Sequence, residues 1–328
     1  MDRLIDAISE THNPSVVGID PTPQLIPQAV TASMVEDAYG SMRQSGDYTD
    51  LVPQAMAMSY FLFGQAIIDA VAGIVPAVKP QIAMYEALGA IGVSAYNQTC
   101  RYAQEQGLYV IGDIKRADIG TSAAHYAHHL SGISATLPIP EAPAHTDPWH
   151  EDAVTVNPYL GADAVKPFLD AAEPHDKDVF CLVHTSNPSA TQIQDLQLVN
   201  GQHVYEHVGM LVDQQNRNTT GLHGYGRLGA VVGATYPAQG RALRARMPHT
   251  FFLIPGYGAQ GGTATDIAAM ADEHGSGIIV NSSRAIIGAW KRRDHTTMRN
   301  PDEALAVVMA CARDAAIDMR DNLRAALT

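Results

Sequence analysis

The residues best suited to chemistry lie together in one short segment, Asp113-Ile-Lys-Arg-Ala-Asp118. Asp113 and Lys115 are two positions apart in an apolar run, so on a β-strand their side chains point to the same side. A carboxylate and an ammonium that are held together away from water keep each other charged. Asp118 lies past the run and need not share this direction. The alternative interpretation is a structural ion pair, with Asp118 as the N-cap of the following helix.

Eight short apolar runs rich in β-branched residues predict the elements that position this segment. They lie at 15–20, 74–80, 108–115, 153–159, 179–186, 229–235, 250–256 and 277–281. Such runs are typical of strands buried on both faces of a parallel sheet. Helical patterns separate most of them, for example at 82–106, 162–172 and 265–274, and a final amphipathic helix is predicted at 301–327.

This alternation predicts an α/β fold, a (β/α)8 TIM barrel that forms a single domain over residues 1–328. A doubly wound open sheet is the alternative, but no Gly-x-Gly-x-x-Gly pattern follows the first run. Two connections, near 130–152 and 188–228, are longer than a barrel requires, and they are predicted to be surface excursions.

Polar residues gather where the predicted strands end. They are Asp20 after the first run, Lys79 in the second, Asp113 and Lys115 in the third, Ser186 in the fifth and Arg284 after the eighth. Because active sites of such barrels lie at the carboxyl ends of the strands, these side chains are expected to converge.

Two loops have the composition of a phosphate site. The first, Pro255-Gly-Tyr-Gly-Ala-Gln-Gly-Gly, includes Gln260 and Gly261, and the second is Asn-Ser-Ser283-Arg284. A Gly-rich turn before a helix presents backbone N–H groups to an anion. Barrels commonly bind phosphate with the loops after strands seven and eight, so a phosphorylated substrate is predicted.

Composition excludes several classes of function. The net charge of -13, from 21 Lys+Arg and 34 Asp+Glu, argues against nucleic acid as a partner. The 3 cysteines have no metal spacing and indicate reduced thiols in a cytoplasmic protein. No signal peptide and no apolar run long enough to span a membrane are predicted. His125, His128 and His129 are interpreted as solvated or interface residues rather than metal ligands, since no Cys or carboxylate lies near them in sequence.

Taken together, these segments resemble orotidine 5′-phosphate decarboxylase, in particular the longer bacterial variety (type 2 subfamily), which carries Asp-x-Lys-Arg-x-Asp-Ile-Gly. The matching segments are 17–21, 77–80, 113–120, 156–160, 184–188, 255–262 and 280–284. The departures are mild: Ala117 replaces Gly, Ser122 replaces Thr, and Arg284 follows Ser-Ser rather than Gly.

The resemblance implies a carboxy-lyase that converts orotidine 5′-phosphate to uridine 5′-phosphate (UMP) and CO2, the last step of de novo UMP biosynthesis, without cofactor or metal. It implies a homodimer in which Asp118 and Ser122 serve the neighbouring subunit's site. It gives Lys79, Asp113, Lys115 and Asp118 as the catalytic network, with Lys115 protonating C6. The implied substrate-binding residues are Asp20 at the ribose, Ser186 at the pyrimidine, and Pro255, Gln260, Gly261, Ser283 and Arg284, of which Gln260 and Arg284 hold the phosphate.

Two alternatives remain. A metal-dependent sugar-phosphate decarboxylase or aldolase of the same superfamily would carry a metal-binding Glu where this chain has Lys79, so Lys79 argues against a divalent metal there. A non-catalytic nucleotide-binding barrel would bind UMP without turnover.

Overall fold

The computed structural model describes residues 1–135, 143–217, 219–258, 261–293 and 298–327. In these residues eight parallel strands form a closed barrel. They are β1 (Ser15–Ile19), β2 (Ala77–Pro80), β3 (Tyr109–Arg116), β4 (Ala153–Val156), β5 (Asp178–His184), β6 (Leu228–Val232), β7 (Phe252–Ile254) and β8 (Ile278–Ser282). Each predicted apolar run overlaps one strand, and the predicted (β/α)8 barrel is confirmed.

The helices surround the barrel and alternate with most of its strands. They are α1 (Asp2–Thr11), α2 (Gln28–Met42), α3 (Leu51–Val71), α4 (Ile82–Glu86), α5 (Ala90–Glu105), α6 (Gly120–Tyr126), α7 (His128–Ser131), α8 (Lys166–Ala172), α9 (Val204–Asn216), α10 (Pro237–Arg246), α11 (Ala264–Ala268), α12 (Arg284–Ile287) and α13 (Pro301–Leu327). Short 3-10 helices lie at Pro23–Leu25, Pro158–Leu160, Ala162–Ala164, Glu173–His175, Pro188–Gln192 and Ala289–Arg292. The single helix predicted at 82–106 is divided into α4 and α5, because the chain turns at Gly89, whose φ is +73°.

The strands separate two hydrophobic layers. Side chains inside the barrel form one cluster, which includes Val16, Ala77, Tyr109, Ile111, Ala153, Phe180, Val231, Leu253 and Ile279. The intervening residues of the same strands, such as Val17, Val78, Val110 and Val154, pack outward in a second cluster with the helices. This alternation means that the next inward position along each strand faces the open, carboxyl end of the barrel.

Helix α3 is the one helix in the described part of the chain that is long and apolar enough, by length and composition, to cross a membrane. The prediction that no apolar run has this length is therefore wrong. α3 packs against α2, α5 and α13, and it buries Phe63, Ile67 and Ile68 completely. This packing between helices accounts for its apolar composition.

The two excursions differ in structure. The first contains a two-stranded antiparallel ribbon, Ile133–Ser134 with His145–Thr146. The second begins with the 3-10 helix Pro188–Gln192 and continues into α9. Its residue Gln194 lines a cavity at the barrel mouth, so this connection is more than a surface excursion.

Candidate active site

A cavity of about 450 Å³ opens at the carboxyl ends of the strands. Its volume lies in the range that is usual for small-molecule sites. It is lined by Asp20, Lys79, Asp113, Lys115, Thr155, Leu182, Thr185, Ser186, Asn187, Gln194, Val231, Leu253, Pro255 and Asn281. Six of the residues singled out from the sequence are in this set: Asp20, Lys79, Asp113, Lys115, Ser186 and Pro255.

Strand alternation explains much of the lining. Lys79, Asp113, Thr155 and Asn281 each lie two positions after a side chain of the barrel interior. Sequence reasoning found the charged members. It missed Thr155 and named Asn281 only as part of the predicted phosphate loop, because neither side chain carries a charge that marks it in an apolar run. The alternation within each apolar run is the signal that could have identified them.

Asp113 is the centre of the charged network. Its Oδ2 pairs with Lys79 Nζ, and its Oδ1 pairs with Lys115 Nζ. Gln81 Nε2 donates to Oδ2 at 3.0 Å, and Thr155 Oγ1 donates to Oδ1 at 2.9 Å. Both carboxylate oxygens are thus fixed by two donors each, so the carboxylate has a defined orientation in the cavity.

Burial and charge act against each other in this network. Burial alone would raise the pKa of Asp113, but the ammonium groups of Lys79 and Lys115 outweigh it and hold that pKa well below its usual range. Burial would also lower the pKa of Lys79, but Asp113 and Asp20 hold it above its ordinary value. Asp113 and Lys79 are therefore both charged at neutral pH.

Lys115 reaches Asp113 through an irregular backbone. The pairing between β3 and β4 changes register between Gly112 and Arg116, and Lys115 has a φ of 45°. Its backbone N–H donates to Thr155 Oγ1 at 3.0 Å. A non-glycine residue in this region costs about 1–3 kcal/mol, and such strain is common at functional sites. The regular alternation of side chains along β3 is therefore interrupted at Lys115. This alternation was the reason for expecting Asp113 and Lys115 on the same side of the strand.

Two side-chain acceptor oxygens at the mouth, one of a carboxylate and one of an amide, have no hydrogen-bond partner among the described residues. They are Oδ1 of Asp20 and Oδ1 of Asn281, and both are buried. Buried acceptors of this kind are normally satisfied, so these two atoms are suited to donors of a bound molecule.

Asp118 and Ser122 do not line the cavity of their own chain. Asp118 Oδ1 accepts from the backbone N–H of Ile119 at 2.7 Å, and Ser122 is exposed on α6. The N-cap of α6 is Ile119, so the alternative in which Asp118 is the N-cap of that helix is wrong.

The two predicted phosphate loops lie beyond β7 and β8. In the first, Gly258 N donates to Gly262 O at 3.0 Å and Gly261 N to Gly258 O at 2.9 Å. Gly258 and Gly261 have φ values of 70° and 100°, which only glycine adopts readily. Gln260 lies outside the described residues. In the second loop Ser283 is the N-cap of α12 and Arg284 is its exposed first residue.

Sequence reasoning also missed Gln81, which donates to Asp113, and a group of polar residues after β5 that line the cavity, namely Thr185, Asn187 and Gln194. Gln194 lies in the second excursion, where no periodic pattern indicated that the chain returns to the mouth.

The described residues contain no group of three or more His, Cys, Asp or Glu side chains arranged to hold a metal ion. His125 and His128 pack with ring centroids 5.6 Å apart. His129 is buried, and its Nδ1 lies 2.8 Å from Oε2 of Glu151. The interpretation of His129 as solvated is therefore wrong: a carboxylate distant in sequence pairs with it.

The fold and the site define a class: a (β/α)8 barrel with a lysine–aspartate–lysine network at its mouth. Comparisons with known proteins specify it further. The model of the family described as "Orotidine 5'-phosphate decarboxylase / HUMPS family" matches residues 64–296. A relative from Rhodopirellula baltica, named orotidine 5′-phosphate decarboxylase, is 39% identical over 322 residues, which are 98% of this chain and 98% of the relative. One of the same name from Clostridium perfringens (strain 13 / Type A) is 41% identical over 268 residues, 81% of this chain and 85% of the relative.

Solved structures with a similar fold carry related names. The structure of Leishmania donovani UMP synthase has a TM-score of 0.72 at 26% identity, covering 99% of this chain and 56% of that chain. The Leishmania donovani OMP decarboxylase structure has the same fold, with a TM-score of 0.70 at 24% identity over 99% of this chain and 98% of that chain. The chain belongs to the orotidine 5′-phosphate decarboxylase / HUMPS family.

Proposed function

We propose that this chain is a carboxy-lyase, a carbon–carbon lyase that converts orotidine 5′-phosphate to UMP and CO2 in the last step of UMP biosynthesis. The observation that carries the proposal is the Lys79–Asp113–Lys115 network, which lies in a cavity large enough for a nucleotide. The names of the relatives that span nearly the whole chain support the same substrate.

Lys115 is the proton donor. When the bond between C6 and the carboxylate carbon breaks, its electron pair stays on C6 as a vinylic carbanion with little internal delocalisation. An ammonium beside C6 stabilises this charge as it forms and then transfers a proton to it. The side chain of Lys115 is 45% exposed and that of Lys79 is 6% exposed. Lys115 is therefore the lysine that can regain a proton from solvent after each turnover.

Lys79 and Asp113 hold the charge pattern around Lys115. Asp113 stays ionised because Lys79 and Lys115 hold its pKa low. It faces the substrate carboxylate, and the repulsion between the two anions is relieved when CO2 leaves. Lys79 neutralises Asp113 from the buried side, where a metal-dependent relative would place a metal ligand. No cofactor is needed for this chemistry.

The remaining residues bind the substrate. Asp20, which lines the cavity, accepts from the ribose hydroxyls, and Ser186 contacts the pyrimidine from the end of β5. The phosphate is bound by the loops after β7 and β8, which carry Pro255, Gln260 and Gly261 in the first and Ser283 and Arg284 in the second. Because the phosphate is remote from C6, its binding energy can organise the site for the reaction.

A homodimer with shared sites accounts for Asp118 and Ser122, which do not line their own cavity. Apolar side chains on the same segment are exposed: Ile119 by 54% and Tyr126 by 39%. Exposed apolar groups of this size favour an interface. We infer that Asp118 and Ser122 enter the neighbouring subunit's site across it.

The whole chain, residues 1–328, forms one decarboxylase domain, since strands from both of its halves complete one barrel. A cytoplasmic location is supported by Cys100, Cys181 and Cys311, which are all free thiols in the buried interior.

A spectrophotometric decarboxylation assay with orotidine 5′-phosphate in the presence of EDTA tests the proposal. We expect full turnover. Binding of UMP by well-folded enzyme without turnover would favour a non-catalytic nucleotide-binding barrel. Activity that appears only after a divalent metal is added would favour a metal-dependent relative.

A further inference from the structure

Two consecutive residues of the second excursion hold the end of β5. Gln194 Oε1 accepts from the backbone N–H of Thr185 at 2.8 Å, and Gln194 Nε2 donates to Thr185 Oγ1 at 2.8 Å. Asp195 Oδ1 lies 2.9 Å from Nε2 of His184. We call this arrangement, Gln194 and Asp195 with Thr185 and His184, the clasp.

His184 is the buried anchor of the clasp. Its side chain is completely buried, and the rings of Tyr205 and Tyr236 lie edge-on to it with centroids at 4.7 and 4.6 Å. An imidazole that is packed between two aromatic rings has few other orientations. Its bond to Asp195 therefore fixes where the excursion lies relative to β5.

The backbone of Ser186 is held from the opposite side by β6 and the residues after it. Thr235 Oγ1 donates to the carbonyl oxygen of Ser186 at 3.1 Å. A Cβ added at Gly233 would lie 2.8 Å from the backbone N and Cα of Ser186, so the two chains are in close contact. Gly233 N also donates to His184 O at 2.7 Å. Residues 184–186 are thus fixed between the clasp and the chain after β6.

We propose that the clasp is a positioning device that sets Ser186 against the base of the substrate and so determines affinity for the base. This rests on the proposed function for the identity of the base. Thr185, Asn187 and Gln194 line the same cavity as Ser186, and Thr185 Oγ1 donates to Asn187 Oδ1 at 2.7 Å. The charged network lies on β2 and β3, so base recognition and proton transfer use different strands.

The separation of roles gives a test with two ligands. UMP consists of a base, a ribose and a phosphate, whereas ribose 5-phosphate has the ribose and the phosphate without the base. In Gln194→Met, which removes both hydrogen bonds at nearly constant size, the Kd of UMP should rise roughly five- to tenfold by calorimetry. The Kd of ribose 5-phosphate should stay at the wild-type value. Gln192→Met, the same change at an exposed position two residues earlier, should leave both constants unchanged.

A second pair of variants tests the other half of the clasp. Asp195→Asn keeps an oxygen that can accept from His184, whereas Asp195→Leu removes it. We expect Asp195→Leu to raise KM for orotidine 5′-phosphate roughly fivefold with little change in kcat, and Asp195→Asn to restore KM. If Gln194→Met does not fold, this pair of Asp195 variants still tests whether the clasp determines affinity for the base.

Unchanged affinity of Gln194→Met for UMP, or an equal loss of affinity for UMP and ribose 5-phosphate, would overturn the proposal. So would a fall in kcat at constant KM in Asp195→Leu. Failure of the proposed function would give a distinct result, because the wild-type enzyme would then not turn over orotidine 5′-phosphate. The comparison of UMP with ribose 5-phosphate needs no turnover, so it would still test the role of the clasp.

Discussion

Replacement of Lys79 by methionine removes the buried ammonium from the network and keeps a side chain of similar length. Lys79 and Asp113 are only 5% and 6% exposed, so the Asp113 carboxylate that remains cannot be fully hydrated. Its other partners, Lys115, Thr155 and Gln81, are kept. We expect Lys79→Met to reduce stability as well as activity.

The magnitude follows from the burial of the pair. Two opposite unit charges about 4 Å apart attract by roughly 4 kcal/mol at an effective dielectric constant of about 20. Removing one partner of a buried pair costs about 3–5 kcal/mol. Lys115 still pairs with Asp113, with its side chain 45% exposed, and offsets part of this loss. We therefore expect the free energy of unfolding to fall by about 3 kcal/mol at pH 7.

The loss should depend on pH. The pKa of Asp113 is lowered by folding, so its contribution is present above the unfolded carboxyl pKa of about 4 and is lost as the pH falls below it. The pKa of Lys79 is raised by folding, so its contribution is present below about pH 10 and is lost as the pH rises further. In Lys79→Met, Asp113 is expected to protonate at a higher pH. The deficit should therefore be largest near neutral pH and should shrink only in acid, as the pH falls through the pKa of Asp113 in the variant.

Urea unfolding followed by circular dichroism at a series of pH values from 7 down to about 3 measures both effects. Lys166→Met is the matched control, because Lys166 pairs with Asp170 on the surface with side chains 68% and 61% exposed. Its effect should stay below about 1 kcal/mol. A loss in Lys79→Met as small as that of the control, or a loss that does not change with pH, would refute this reasoning.

Three further changes probe the site and its surroundings. Thr155→Val removes the hydroxyl that donates to the Asp113 carboxylate, so kcat should fall roughly tenfold. Thr155→Ser keeps the hydroxyl and should stay near the wild-type kcat. Equal kcat values for the two variants would contradict the role of the hydroxyl. Gly112→Ala places a Cβ 2.1 Å from an oxygen of buried Glu151, so the free energy of unfolding, measured by thermal unfolding, should fall by about 1–3 kcal/mol. Gly40→Ala is the control, because nothing lies within 4 Å of its Cβ, and it should not lower the free energy of unfolding. Similar melting temperatures for the two variants would count against the predicted clash. Mixing Asp118→Ala with Lys115→Ala should restore roughly a quarter of the wild-type activity, because half of the dimers are then mixed and one of the two sites in each mixed dimer is intact. No recovery of activity despite demonstrated subunit exchange would exclude shared sites.

The fold was predictable because burial on both faces of a parallel strand leaves a long apolar run in the sequence. The charged residues at the mouth were predictable for a related reason, since Lys79 and Asp113 interrupt or end such runs. Length and composition alone were less informative for α3, whose apolar character comes from packing between helices.

The rest depends on contacts that no local pattern records. The positive φ of Lys115 follows from the change of register between β3 and β4. Gln194 reaches the cavity only because the second excursion folds back over the end of β5. Glu151 pairs with His129 across 22 positions in sequence, so a search for neighbouring ligands missed it. Each of these contacts is fixed by tertiary structure.

Turnover of orotidine 5′-phosphate by Lys115→Met, measured together with its affinity for UMP, tests the central claim most directly. Loss of the ammonium removes both charge stabilisation and the proton donor, so kcat should fall by at least about a thousandfold. UMP has no carboxylate at C6, so its Kd should change by less than about tenfold. A variant that binds UMP normally and keeps kcat within about tenfold of the wild-type value would contradict Lys115 as the proton donor.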